Sequence, residues 1–259
     1  MRMPSAALRA IAVSSFAILV ISAAPSLAQE RWSWPEHPKN LQILKGMSGE
    51  QLRPVMVGFT RALGVRCNYC HVGEEGKPFT EWDFPSDAKP AKKTARQMLV
   101  MLRMINDQLK EVQPSGDQRV NMWCGTCHHG KPRPMTLEES LDEAYRQGGV
   151  KAAVDRYHEL RDRYYGRGAY DFGERSLNQF GYELLGKSDL DGGITILRLN
   201  AEMFPQSGNV WDSLAEAYAK EGKPELAEIY YRKSLELDPE NRHALEELQK
   251  IRSANRQAP

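Results

Sequence analysis

The sequence predicts an all-α protein in two units, a small cysteine-bearing module over residues 29–135 and a helical-repeat solenoid over residues 136–259. Three observations predict it. Apolar residues recur at helical spacing through residues 90–109 and through almost everything after Met135. Two short cysteine motifs each follow a candidate helix and a linker. A 34-residue period runs through the second half, where the composition changes to alternating charge and small apolar residues.

The first 28 residues carry Arg2 and Arg9, an apolar run from about Ala10 to Ala24, and Ser26-Leu27-Ala28 as a small-x-small cleavage site. This is the pattern of a secretory signal peptide cleaved near Ala28, and the run is shorter than the roughly 20 residues of a spanning helix. An uncleaved anchor is the weaker alternative, and no cysteine near the cleavage site indicates a lipid anchor. The expected location is the periplasm. About 230 residues follow the cleavage site, with 41% apolar and 27% charged residues in the whole chain, as in ordinary folded proteins. A formal net charge of +1 gives no argument for nucleic acid or an anionic membrane surface as partner.

Residues 29–40, rich in Trp, Pro and charge, read as an extended lead-in. Ser48-Gly49-Glu50-Gln51 resembles a capping box opening a helix that runs to about Leu63, with Gly64 as its stop. Pro54 fits better at a first helical position, which moves the expected start towards Arg53. Residues 72–90 read as a loop, and a second helix follows from Pro90 to about Leu109, with Ala95, Met98, Leu102, Ile105 and Leu109 on one face. Pro114, Gly116 and Asp117 end it.

Cys67-Asn68-Tyr69-Cys70-His71 and Cys124-Gly125-Thr126-Cys127-His128 use all four cysteines of the chain. Two cysteines three apart reach the two vinyl groups of one porphyrin, and the histidine directly after them supplies an axial nitrogen to iron. A zinc site would use both pairs as four thiolates and needs no histidine after each; a redox motif is expected beside a βαβ pattern, which is absent. The duplication, with no spare cysteine, favours two covalently attached c-type haems over zinc, a disulfide or a redox centre. The fold class is therefore a small dihaem c-type cytochrome module followed by a tetratricopeptide-repeat helical solenoid. Haem propionates would move the net charge towards negative, and covalent attachment outside the cytoplasm agrees with export.

Each iron has a sixth position. Met56 lies eleven residues before Cys67, sharing a helix face with Phe59 and Leu63, and its thioether is the candidate for the first iron; a plain core role is the alternative. Met98, Met101 and Met104 are candidates for the second, and spacing does not choose among them. His129 is expected at the surface or against a propionate, and His37, His158 and His243 are expected to be solvated.

In the repeat unit Trp211, Leu214, Tyr218, Ala227, Tyr231 and Pro239 occupy tetratricopeptide signature positions. One period earlier stand Leu177, Phe180, Gly181, Leu197 and Pro205, and a degenerate pair around Leu141–Leu160 carries Ala144, Tyr145, Ala153 and Tyr157. About three units suffice for a continuous core, and residues 243–252 read as a closing helix.

Residues 41–134 resemble the cytochrome c subunit of photosynthetic reaction centres. The resemblance rests on Leu63-Gly-Val-Arg-Cys-Asn-Tyr-Cys-His71 behind Met56, on Thr94–Asn106, and on Val120-Asn-Met-Trp-Cys-Gly-Thr-Cys-His-His-Gly130. It implies low-spin His/Met haems that pass electrons, and it places the second ligand methionine just before an x-Arg-x-Ile-Asn segment, at Met101. That family carries two such modules where this chain has one, and the repeats are extra. The expected function is a periplasmic electron carrier between redox partners, a membrane-bound reaction centre being one possible acceptor, with a protein or peptide on the repeat groove and no nucleic acid. A haem enzyme or small-ligand sensor with one open iron, for which no distal acid or base stands out, is the alternative. A repeat scaffold with structural haems is another.

Overall fold

The computed structural model describes residues 32–112 and 120–257, so the signal segment and the turn containing Pro114, Gly116 and Asp117 lie outside the described residues. Nine α-helices are assigned among them: α1 Gly49–Leu63, α2 Pro90–Val112, α3 Cys124–His128, α4 Leu137–Tyr164, α5 Glu174–Gly186, α6 Leu190–Met203, α7 Gly208–Lys220, α8 Pro224–Leu237 and α9 Arg242–Gln257. There is no strand among the described residues; Val72 and Asp83 form one isolated bridge. No helix in that range is long and apolar enough to cross a membrane.

The capping box forms as the sequence indicates. The Ser48 hydroxyl accepts from the Gln51 N–H, and the Gln51 side chain accepts from the Ser48 N–H at 2.9 Å. Two helix-start donors are satisfied reciprocally, so α1 begins at Gly49 and not near Arg53. Pro54 sits inside the helix, where its missing N–H forgoes one hydrogen bond and the continuing turns hold the rest. Leu52 and Ala62 are buried, and Met56, Phe59 and Leu63, on the same face as Leu52 at i+4, i+7 and i+11, are half-buried.

Helix α2 begins at Pro90 as expected and runs one turn past Leu109, to Val112. None of its residues is buried, although its apolar residues fall at helical spacing. Polar contacts of Lys92, Arg96 and Asn106 hold it.

The repeat unit keeps the period. Helices α5 and α7 start at Glu174 and Gly208, α6 and α8 at Leu190 and Pro224, and α9 at Arg242, each 34 residues after its counterpart. The degenerate first pair is present as α4, which bends where Gly148 and Gly149 leave helical backbone values. Two cores result. One joins Leu141, Tyr157, Phe172, Phe180 and Ile196; the other joins Leu197, Val210, Leu214, Ala227, Tyr231 and Leu248. Burying each large side chain contributes roughly 1.5–3 kcal/mol against its exposure. Polar rungs tie neighbouring units: the Tyr182 hydroxyl donates to Glu216 at 2.6 Å, and His243 Nδ1 stands 2.9 Å from a carboxylate oxygen of Asp212. His243 is thus paired rather than simply solvated; burial raises the Asp212 carboxyl pKa, and the His243 bond opposes that rise.

Candidate haem sites

The first motif starts in a 3-10 turn, Cys67–Tyr69. Cys70 N–H and His71 N–H both donate to the Cys67 carbonyl, at 3.2 and 2.9 Å. Cys67, Cys70 and His71 line one cavity of about 460 Å³, together with Met56, Phe59 and Leu63 from α1 and Leu99 from α2. That volume lies within the ~300–1,000 Å³ of ordinary cofactor pockets. His71 Nδ1 is 3.0 Å from the Phe84 carbonyl. A carbonyl only accepts, so the proton belongs on Nδ1 and the lone pair on Nε2. Burial lowers the His71 pKa, which keeps the imidazole neutral, the form that ligates a metal. Burial raises the Cys70 pKa, so its thiol stays protonated, unlike the thiolate of a redox motif.

A lead-in and a loop, neither with a regular periodicity in the sequence, build the wall behind His71. Phe84 packs against the imidazole at 5.1 Å between ring centres, stacks on Trp82 at 5.7 Å, and meets Trp32 at 5.4 Å. Lys92 of α2 donates to the carbonyls of Phe84, Pro85 and Ser86 at 2.8, 3.0 and 2.8 Å. Asp87 binds Arg96 at 2.8 Å and Asn40 at 3.0 Å. The Arg96 and Asn40 donors hold the Asp87 carboxyl far below the usual carboxylate range. A depressed folded pKa stabilises the fold above the ordinary carboxylate pKa, and the contribution is lost as pH falls through the folded value. Asp87→Asn is accordingly expected to lower the melting temperature at neutral pH, and the gap from the parent should close on strong acidification. A gap independent of pH would rule the charge out as its cause.

The second motif is the short helix α3. The Thr126 hydroxyl accepts from the Trp123 N–H at 3.1 Å, fixing the first turn. His128 is only 7% exposed, and its Nδ1 lies 2.9 Å from the Lys131 carbonyl, repeating the arrangement at His71. Burial also raises the pKa of the Cys124 thiol. Two long-range contacts place the motif. Gly130 N–H donates to the Ala62 carbonyl at 2.9 Å, and a Cβ on Gly64 would collide with the Gly130 carbonyl oxygen. Asn106 of α2 bonds Met122 twice, donating to its carbonyl at 2.9 Å and accepting from its N–H at 2.7 Å.

Met56 therefore shares a cavity with Cys67, Cys70 and His71. Lys92, Ala95, Arg96 and Leu99 are the α2 residues in that wall, so Met98, Met101 and Met104 lie outside it. Met98 is half-buried, Met101 is 45% exposed and Met104 more so, on the helix that Asn106 ties to the second motif. His129 is exposed with left-handed backbone, as expected of a surface residue, and His158 is exposed. His37 is exposed yet borders the first cavity, which its sequence context does not show. No group of three or more His, Cys, Asp or Glu among the described residues is placed to hold a metal ion, so the cysteine pairs do not combine as a four-thiolate site. The donors fit covalent haem: paired cysteines whose sulfurs can add across vinyl groups, histidines with Nε2 left as acceptor, and, at the first motif, an apolar wall carrying a thioether.

Two Cys-x-x-Cys-His turns with carbonyl-anchored histidines, joined to helical repeats, define a c-type cytochrome with a repeat domain. The chain belongs to the family of the photosynthetic reaction centre cytochrome C subunit, whose family model matches residues 8–159, past residue 135 into α4. Residues 208–241 match the tetratricopeptide repeat. Among relatives, cytochrome c-554 of Chloroflexus aurantiacus is 36% identical over 94 residues, covering 36% of this chain and 20% of the relative. The photosynthetic reaction center cytochrome c subunit of Rubrivivax gelatinosus is 33% identical over 97 residues, covering 33% of this chain and 24% of the relative. The chain thus spans a quarter or less of these relatives. Among solved structures, the first repeat domain of Spaghetti (RPAP3), bound to an HSP90 peptide, is 21% identical with a TM-score of 0.34, covering 47% of this chain and 91% of that one.

Proposed function

We propose that the protein is a periplasmic electron carrier with two covalently attached c-type haems, one on each motif, whose repeat domain docks a redox partner. The observation that carries this reading is the repeated ligand geometry: each motif's histidine gives Nδ1 to a backbone carbonyl, at 3.0 Å for His71 and 2.9 Å for His128. When bound, haem supplies reversible one-electron exchange. Cys67, Cys70, Cys124 and Cys127 would hold it through thioether links, His71 and His128 would each supply a ligand nitrogen, and Met56 and Met101 would supply thioether ligands at the first and second sites. Met56 is supported by its place in the first cavity, and Met101 by its position just before the Leu102-Arg103-Met104-Ile105-Asn106 segment that resembles the family's. Phe84, Trp82 and the lead-in orient His71 and keep water from its ring. Closed His/Met irons suit transfer rather than substrate chemistry, because no position is left for a reactant.

The family supports a membrane-bound acceptor of the reaction-centre kind, and stacked repeats support a protein or peptide in the groove. Residues 1–28 support export.

Haem counting tests the proposal. Pyridine haemochrome assay and intact mass of the exported protein should give two haems on a chain starting near Gln29. The double variant Cys124→Ala, Cys127→Ala should keep one. A parent protein with one haem or none, or a chain retained in the cytoplasm, would overturn the reading.

A further inference from the structure

We propose that Lys131 is a positioning residue through which the repeat domain holds the second axial histidine, so that the second haem's potential depends on the Lys131–Tyr170 contact. This rests on the second motif being a haem site. Main chain and side chain of Lys131 do separate jobs. Its carbonyl accepts from His128 Nδ1 at 2.9 Å, and its N–H returns to the His128 carbonyl at 3.0 Å, which closes a tight loop around the ligand. Its side chain is anchored in the other domain. Lys131 is only 6% exposed, its ammonium stands 3.9 Å from the centre of the Tyr170 ring, and it donates to the Met135 carbonyl.

A lysine is rarely so buried without a partner. This one has no carboxylate at ion-pair distance among the described residues; a ring face and a carbonyl hold it instead. Tyr170 is itself fixed, packing on Tyr164 at 5.4 Å and Phe172 at 5.9 Å, both in the first repeat core. Lys131 follows His128 by three positions and touches both the imidazole and the Tyr170 ring, so a movement of Tyr170 reaches the imidazole through one residue. The group bonded to the non-ligating nitrogen sets a ligand histidine's orientation and basicity. The nearby ammonium also disfavours the added positive charge of oxidised iron. The first motif lacks such a link. His71 is anchored on Phe84, whose carbonyl is held by Lys92 within the cytochrome unit.

The test is an optical redox titration of the haem-loaded full chain, the second wave being assigned by its loss in Cys124→Ala, Cys127→Ala. Lys131→Met keeps the backbone carbonyl and the apolar stem while removing the cation; Tyr170→Leu removes the ring face. In Lys131→Met the reduced-to-oxidised ratio of the second haem at the parent's midpoint should fall about three-fold or more, and in Tyr170→Leu the second midpoint should leave the parent's value, with the first wave unmoved in both. Tyr170→Phe, which keeps the ring face, should restore the parent behaviour. Two haems with an unmoved second wave in Lys131→Met, or equal shifts of both waves, would overturn the inference alone. Fewer than two haems in the parent would overturn it together with the proposed function. Should Tyr170→Leu not accumulate, Lys131→Met and Tyr170→Phe decide the matter.

Discussion

In Met56→Ala the first haem is expected to lose its low-spin spectrum while the second keeps it. The weak far-red band of methionine-ligated ferric iron should fall by about half, and the reduced protein should bind about one equivalent of carbon monoxide that the parent does not. Removing the thioether also removes its preference for ferrous iron, so the first midpoint should drop. The effect is large because Met56 shares a wall with Cys67, Cys70 and His71, and no other methionine lines that cavity. His37 borders the same cavity and is the control. His37→Ala should leave the spectrum as it was, and the reverse pattern in the two variants would hand the ligand role to His37.

The Gly64→Ala protein should be the most destabilised single variant of the cytochrome unit. Gly64 has φ +63°, a left-handed value that costs an L-residue about 1–2 kcal/mol. Its added methyl would also meet the Gly130 carbonyl, and relieving such overpacking typically costs about 1–3 kcal/mol more. A combined loss of roughly 2–5 kcal/mol corresponds to a melting temperature lower by about 10–25 °C for a unit of this size. Gly76→Ala separates the two causes. Gly76 has φ +85° with nothing within 4 Å of an added methyl, so only the backbone cost should appear. Equal losses in the two variants would show that the Gly64–Gly130 approach is unimportant.

Much of the fold is legible along the chain because its signals are local. The Ser48–Gln51 capping box, the Gly64 stop, the start at Pro90 and the 34-residue register each depend on neighbours within a turn or on strict repetition. Pro54 misleads for the same reason: its usual position is a tendency, and the capping box outweighs it. Contacts between distant segments carry no such mark. Nothing in the sequence pairs Gly64 with Gly130, Phe84 with His71, or Lys131 with Tyr170. The motifs name the thiols and imidazoles, but the carbonyls that fix the imidazoles lie in segments without pattern. A hint for the first wall was present: Phe79, Trp82 and Phe84 fall within six residues of what reads as a loop, and such aromatics seldom stay in solvent. Asn106 belongs to the segment that carries the family resemblance, and its pair of hydrogen bonds with Met122, one donated and one accepted, supplies a physical reason for an asparagine there.

Helix α2 differs from the solenoid helices in what holds it. Its fixings include Lys92, which gathers three carbonyls behind the first histidine, Arg96, which pairs with Asp87, and Asn106, which binds the stretch of chain leading into the second motif. The fourteen steps of helix from Lys92 to Asn106 span roughly 21 Å. That length is set by covalent geometry and main-chain hydrogen bonds, both stiff, and not by interlocking side chains. The helix therefore works as a ruler between the two cysteine motifs: mutations that loosen apolar packing leave its length alone, whereas inserting or deleting residues between Lys92 and Asn106 would reset both the spacing and the rotation of one motif about the other.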